Sequence, residues 1–201
     1  MIPKTAVTAV PILEVLAERW SPRAFTPQLV EHEKLLALME AFRWAPSSMN
    51  EQPWYLLVAA KDDAEGFAKM LGCLVDANQV WAKNAPLLMI TLAKTTFNRN
   101  GNVNRTALHD TGIALMALFV QATALGMQAH GMGGIHLDKI REVYGLPADV
   151  EAVAGVAVGY AASAELLEEP MRSREMAPRT RKPLSEFVLG NSWGEVSKVL
   201  K

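Results

Sequence analysis

Residues 111–134 read TGIALMALFVQATALGMQAHGMGG, and no Asp, Glu, Lys or Arg occurs anywhere between Asp110 and Asp138. By charge alone the stretch is long enough to span a bilayer. However, Gln121 and His130 are polar, and Gly126 interrupts the helical pattern before it reaches bilayer length. We therefore expect a core helix that is buried on all sides, followed by a short strand and a glycine-rich turn.

The composition of the whole chain supports this view. It has 201 residues, half of them apolar, with 20 Lys and Arg against 21 Asp and Glu and a net charge of −1. These values argue against disorder and against nucleic acid or a membrane as the main partner. Cys73 is the single cysteine, which excludes a disulfide scaffold. The first residues make a poor secretory signal because prolines break their apolar run, so a cytoplasmic protein is expected.

Hydrophobic periodicity predicts a mixture of helices and strands along the rest of the chain. Apolar residues recur at helical spacing over 30–44, after a start signal at Thr26-Pro27 and before a stop at Ala45-Pro46. Further helices are expected over 11–17, 63–71, 105–125 and 138–144, and strands over 54–60, 87–93, 127–130 and 150–161. Because strands and helices do not alternate strictly, we expect a three-layer α+β or α/β sandwich.

Most familiar catalytic motifs are absent from the sequence. There is no GxGxxG, P-loop, HExxH, CxxC or GxSxG pattern. His130 and His136 are six residues apart with no Cys or carboxylate between them, so no metal site is expected. Cys73 has no recognisable histidine partner and is expected to be a small buried hydrophobe.

Two arginine-rich segments are candidates for binding an anion. Arg19-Trp20-Ser21-Pro22-Arg23 places two guanidinium groups and a hydroxyl within five residues, and Arg179 and Arg181 lie in a basic run that starts at Arg172. Arginine presents fixed donors that suit phosphate oxygens. Exposed arginines in surface salt bridges remain the ordinary alternative, and a weak polyanion patch is a second one for the late run.

Two further segments combine polar groups with turn geometry. APSSMNEQPW, at 45–54, sets two hydroxyls and two amides between prolines, and amides can pair with a heterocycle that both donates and accepts. Met132-Gly133-Gly134 would let a planar ligand approach the main chain. Ordinary turn formation is the alternative for both segments.

Taken in order, the segments ERWSPRAF, APSSMNEQPW, LHDTGIAL with GMQAHGMGGI, and PRTRKPLSEFV resemble the nitroreductase family. The resemblance covers about 11–194, so a single FMN-binding domain is expected over 1–201. It implies an α+β fold, a three-layer α/β/α sandwich around a mixed, mostly antiparallel sheet. It also implies an intertwined homodimer that binds FMN at the subunit interface.

The resemblance also implies which residues bind the cofactor. They are Arg19, Trp20, Ser21, Arg23, Pro46, Ser47, Ser48, Met49, Asn50, Gln52, Asn78, Met132, Gly133, Gly134, Arg179 and Arg181. The five residues of the two arginine segments other than Trp20 would hold the phosphate. Trp20 stands where the family often has Arg or His, which implies only a main-chain contact. The contacts from the second subunit would be those of Pro46, Ser47, Ser48, Met49 and Asn50, with Gln52 in the same loop as a weaker candidate.

Around the flavin ring, the resemblance implies that Asn78 contacts the pyrimidine edge, with Asn84 as the competing candidate. Met132, Gly133 and Gly134 would lie beside the ring, with the Gly133 N–H near flavin N5. Some relatives carry a glutamate where this chain has Gly133.

The activity implied is hydride transfer from NAD(P)H through FMN to a nitroaromatic, quinone or similar acceptor in a ping-pong cycle. Such chemistry needs no covalent nucleophile and no metal, because the cofactor supplies it. The alternatives are a module that binds or senses flavin without turnover, and a flavin-destructase or dehalogenase branch of the same family. A nucleic-acid binder built on the late basic run is a more distant alternative.

Overall fold

A computed structural model describes residues 4–200. Four strands are present, β1 (Trp54–Ala60), β2 (Leu87–Lys94), β3 (Gln128–Met132) and β4 (Val150–Gly159). The helices are α1 (Glu14–Glu18), α2 (His32–Arg43), α3 (Ala64–Leu71), α4 (Asp76–Ala82), α5 (Ala107–Ala124), α6 (Leu137–Tyr144) and α7 (Met171–Met176). The last forty residues are otherwise irregular apart from short 3₁₀ turns.

The strands form one sheet in the order β1-β2-β4-β3, and all three pairings are antiparallel. β2 is central and buried along nearly its whole length, which explains its continuously apolar sequence. Successive residues of a strand point to opposite faces. Accordingly Leu88 and Ile90 belong to one core cluster, and Leu87 and Met89 belong to the other.

Helices cover both faces of the sheet. α2 and α5 pack on one face through residues such as Leu38 and Leu118. α3, α4 and α6 pack on the other through Phe67, Trp81 and Ile140. The predicted α+β sandwich of three layers, with a mostly antiparallel sheet, is therefore confirmed.

The uncharged stretch forms α5 and β3, as predicted. By length and composition, α5 is the single helix in residues 4–200 that could cross a membrane, and it packs against α2 and three of the strands. The expectation of burial on all sides was wrong. Leu108 is 48% exposed and Met116 40% exposed, so residues 4–200 leave part of the outer face of α5 uncovered.

Two other predictions were corrected. α2 begins at His32 rather than after Thr26-Pro27, because the Thr26 amide donates to the Tyr160 carbonyl at 2.8 Å and holds that segment extended beside the end of β4. α4 was missed as a helix, since its seven residues are too few to display a clear period. The other predicted elements occur with boundaries shifted by three residues or fewer at each end.

Candidate functional site

The segment 19–23, here called the arginine loop, is attached to β3 by two polar side chains. The Trp20 amide donates to Gln128 Oε1 at 3.0 Å, and His130 Nδ1 donates to the Pro22 carbonyl at 2.8 Å. Gln128 and His130 are two positions apart on one strand, so their side chains share a face. β3 thus presents a polar pair that fixes the loop at both of these points.

A buried carboxylate fixes the other end of the loop. Glu175, on α7, is 4% exposed and accepts hydrogen bonds from the amides of Arg23 and Ala24 at 2.9 and 3.3 Å. Its other oxygen lies 3.7 Å from the Arg23 guanidinium. The late basic run is therefore folded back onto the arginine loop.

Five arginines meet at the resulting pocket, which has a volume of about 230 Å³. Its charged wall consists of Arg19, Arg23, Arg174, Arg179, Arg181 and Lys4. Glu175 is the single carboxylate among the described residues that line it. Burial lowers the pKa of Arg19, and the nearby charges of Arg179 and Arg181 lower it further. This excess of positive charge favours an anion in the pocket.

The arginines of this cationic pocket differ in how firmly they are held. Arg179 donates to the Ala17 carbonyl at 2.9 Å and to the Lys4 carbonyl, which ties it to the N-terminal segment. Arg19 reaches the Ser21 hydroxyl at 3.4 Å. Arg181 donates to the carbonyl of its neighbour Thr180 at 2.7 Å and is otherwise exposed. The pocket thus combines fixed and movable donors.

The polar loop 45–53 has an unusual backbone. Met49, Asn50 and Gln52 have φ values of 57°, 54° and 53°, a left-handed conformation that non-glycine residues rarely adopt. The Ser47 hydroxyl accepts from the Gln52 amide at 2.9 Å and closes the turn. The loop consequently presents Met49, which is 69% exposed, on the surface.

Asp110 holds this loop onto the first turn of α5. The carboxylate is 3% exposed and accepts from the Ser48 amide at 3.0 Å and from Thr106 Oγ1 at 3.1 Å, with His109 Nδ1 at 2.9 Å. Burial on its own raises the pKa of Asp110, but the hydrogen bonds from His109, Ser48 and Thr106 outweigh it and leave the pKa lowered. Asp110 is therefore a charged anchor for the strained loop.

The glycine turn after β3 is open on one side and tightly packed on the other. Asn78 Nδ2 donates to the Gly134 carbonyl at 3.0 Å, and a Cβ on Gly134 would lie 2.7 Å from Asn78 Nδ2 and from Val75 Cγ2. A Cβ on Gly133 would meet nothing within 4 Å. The main chain at Gly133 is thus accessible, while Met132 beside it is buried.

The structure brings together most of the residues singled out in the sequence. The arginine loop meets Arg179 and Arg181, and Asn78 meets the glycine turn, whereas Asn84 lies in a separate pocket with Lys61 and Lys83. The 46–52 residues are not brought to these groups. They precede β1, and Gly133 follows β3, so the two lie at the same end of the sheet but at its opposite edges.

Four residues that support the site were missed by sequence reasoning, namely Asp110, Gln128, His130 and Glu175. Gln128 and His130 carried a usable signal, because they are polar residues with a period of two inside an otherwise apolar stretch. Asp110 and Glu175 resemble ordinary surface carboxylates in the sequence, and no local pattern marks them as buried.

Fold and site together define an α+β protein with a cationic pocket and an exposed glycine turn along one edge strand. The nitroreductase family model matches residues 16–160, which is well over half of the chain. The protein belongs to the nitroreductase family.

Solved structures and curated relatives agree with this assignment. A crystal structure of an oxidoreductase containing FMN is 34% identical, with a TM-score of 0.88 over 94% of this chain and 96% of its own. A nitroreductase family protein from Clostridium difficile 630 is 27% identical, with a TM-score of 0.70 over 91% and 99%. An FMN reductase [NAD(P)H] from Bacillus subtilis is 26% identical, and the match covers 75% of this chain and 66% of that protein.

Proposed function

We propose that the protein is an FMN-dependent oxidoreductase that uses NAD(P)H as its reductant. The observation that carries this proposal is the cationic pocket at one end of β3, with the open main chain of Gly133 at the other end of the strand. A cluster of arginines fits a phosphate group, and a glycine turn without side chains fits a planar ring. His130 and Gly133 are three residues apart, about 10 Å of extended chain, so one elongated ligand can reach both regions.

The residues of this chain would bind and orient the cofactor. Arg19, Ser21 and Arg181 would hold the phosphate, and the Gly133 amide would face the ring. FMN, when bound, supplies the hydride-accepting and hydride-donating chemistry. We further propose that NAD(P)H and an oxidised acceptor, such as a nitroaromatic or a quinone, occupy the open side of the glycine turn in succession. Ping-pong kinetics follow from such alternation.

A second copy of the chain is proposed to complete the site. The polar loop 45–53 lies at the β1 edge of the sheet and Gly133 lies at the opposite, β3 edge. Within one chain, the amides of that loop therefore do not reach a ligand at the glycine turn. The outer face of α5 exposes Leu108 and Met116, both uncharged, as a homodimer interface requires. Strain at Met49 and Asn50, anchored by Asp110, is the kind of fixed geometry that binding loops display.

The proposal is tested by titrating the apoprotein with FMN. Substituting either Arg19 or Arg181 by alanine should weaken FMN binding about ten- to a hundredfold, because each removes a charge-assisted phosphate contact. Arg99→Ala is the matched control, since Arg99 lies in the 97–101 turn outside the pocket. If the Arg19→Ala, Arg181→Ala double variant binds FMN as tightly as the natural protein, the phosphate assignment is wrong.

Turnover is tested separately under anaerobic conditions. FMN-loaded protein should lose its yellow colour on addition of NADH or NADPH and regain it with a nitroaromatic or quinone. Bound FMN that neither nicotinamide reduces would instead indicate a module that binds or senses flavin. Fragmentation of the flavin or release of halide under oxygen would indicate a flavin-destructase or dehalogenase.

A further inference from the structure

A second pocket, of about 320 Å³, adjoins the cationic pocket. Its walls are mainly apolar, and the polar residues that line it include the carboxylates of Glu165 and Glu175. The lining residues are Lys4, Trp20, Ala162, Ser163, Ala164, Glu165, Glu175 and Met176. Trp20, Lys4 and Glu175 line both pockets, so the two spaces are direct neighbours. The volume lies in the range of small-molecule sites.

Trp20 gives this second pocket an aromatic wall. Its main-chain amide donates to Gln128, so this residue anchors the loop to β3 through the main chain. The ring instead lies in the second pocket, and Lys4 Nζ is 5.6 Å from its centroid. Lys4 also donates to the Ala177 carbonyl at 2.7 Å, which keeps its charge between the two pockets.

The charge at the junction exceeds what one phosphate monoester requires. Such a group carries at most about two negative charges. The cationic pocket contains five arginines and Lys4, and its single described carboxylate, Glu175, is paired with Arg23. After Arg19 and Arg181 have met one phosphate, Arg174 and Lys4 remain in the cationic pocket, and Lys4 also lines the second pocket.

We propose that the second pocket accepts the adenylate half of a flavin dinucleotide, so that the protein binds FAD as well as FMN. Arg174 and Lys4 would meet the second phosphate, and the adenine would lie against the indole of Trp20. Aromatic side chains are effective platforms for nucleobases because every base has a π-face. This inference rests on the proposed function, since it extends the same phosphate site.

The test is calorimetric titration of the apoprotein with riboflavin, FMN and FAD. The natural protein should bind FAD at least as tightly as FMN. Trp20→Ala should weaken FAD binding about fivefold or more relative to FMN binding, the loss that follows from removing one base–aromatic stack. Trp20→Phe should retain most of the FAD affinity. Trp193→Ala is the control, because Trp193 is 96% exposed and lines neither pocket.

The outcomes separate this inference from the proposed function. If FMN binds but FAD is more than about tenfold weaker, the adenylate pocket is wrong and the FMN site stands. If neither flavin binds, the proposed function fails as well. Equal loss of FMN and FAD in Trp20→Ala would make Trp20 a support of the loop and overturn the inference. If Trp20→Ala raises the KM for NAD(P)H and leaves the ratio of FAD affinity to FMN affinity unchanged, the inference is wrong and the pocket belongs to the nicotinamide dinucleotide.

Discussion

His130 is packed beneath the arginine loop, and its protonation in acid should destabilise the fold. Its ring lies 4.6 Å from Trp81, centroid to centroid, and its Nδ1 donates to the Pro22 carbonyl. Burial is the main cause that lowers the pKa of His130, to about 4, and the charges of Arg23 and Arg19 act in the same direction. The hydrogen bonds to the backbone of Pro22 and Ser21 oppose this shift without cancelling it.

The size of the effect follows from the shift. An unfolded histidine has a pKa of about 6.5, so between that pH and about 4 the unfolded chain binds more protons than the folded one. The free energy of unfolding therefore falls as the pH falls through this window. A shift of about 2.5 units at 1.36 kcal/mol per unit gives a loss of about 3 kcal/mol below pH 4, and about 2 kcal/mol is already lost at pH 5.

Urea unfolding of the apoprotein at pH 8 and pH 5 measures this loss. His130→Asn keeps a neutral donor toward Pro22 but does not titrate, so its loss between the two pH values should be about 2 kcal/mol smaller than that of the natural protein. His32→Asn is the matched control because His32 is exposed at the start of α2, and it should behave like the natural protein.

Equal pH dependence of the natural protein and His130→Asn would refute the argument. Bound FMN provides a second check, because its phosphate would offset the charges of Arg19 and Arg23 that lower the pKa of His130. The flavin-loaded protein should then lose less stability at pH 5 than the apoprotein loses.

Three further predictions concern the residues around the site. Asp110→Asn removes the charged acceptor of the Ser48 amide, so the free energy of unfolding should fall by about 1–3 kcal/mol in urea titrations, and FMN should bind more weakly. Gly134→Ala should destabilise the fold by about 1–3 kcal/mol through overpacking, whereas Gly133→Ala should leave thermal stability unchanged. Equal melting temperatures of these two variants would contradict the packing argument. Glu175→Gln should lower the melting temperature of the apoprotein, and inorganic phosphate should raise it more than in the natural protein, because the cationic pocket loses its carboxylate.

The fold was largely readable from the sequence because the central strand β2 is buried on both faces. β2 is a nearly continuous apolar run of strand length, and the part of α5 after Asp110 is a long stretch without charge; the prolines and glycines between such segments mark the turns. What could not be read was the exposed outer face of α5. An apolar residue such as Met116 has the same pattern whether it faces a core or a surface that a partner could cover.

The site was readable only in part, for a different physical reason. The arginine loop and the glycine turn can be recognised by residue type. Few residues other than arginine bind a phosphate with several fixed donors, and few other than glycine let a ring approach the main chain. Gln128, Glu175 and Asp110 act through hydrogen bonds to main-chain amides, and any polar side chain in any segment can make such bonds. The role of Glu175, for example, depends on packing that joins α7 to the arginine loop, more than 150 residues apart in the sequence.

The supporting residues indicate that the cationic pocket is assembled before any anion arrives. Bringing Arg19, Arg179 and Arg181 together is unfavourable in itself, as the lowered pKa of Arg19 reflects. Two sets of contacts oppose this repulsion. Glu175 accepts from the amides at one end of the arginine loop, and carbonyls of the N-terminal segment accept from Arg179. These contacts offset the repulsion between the arginines in the apoprotein. A phosphate that binds is therefore attracted by arginines whose loop is already ordered, and this favours tight cofactor retention.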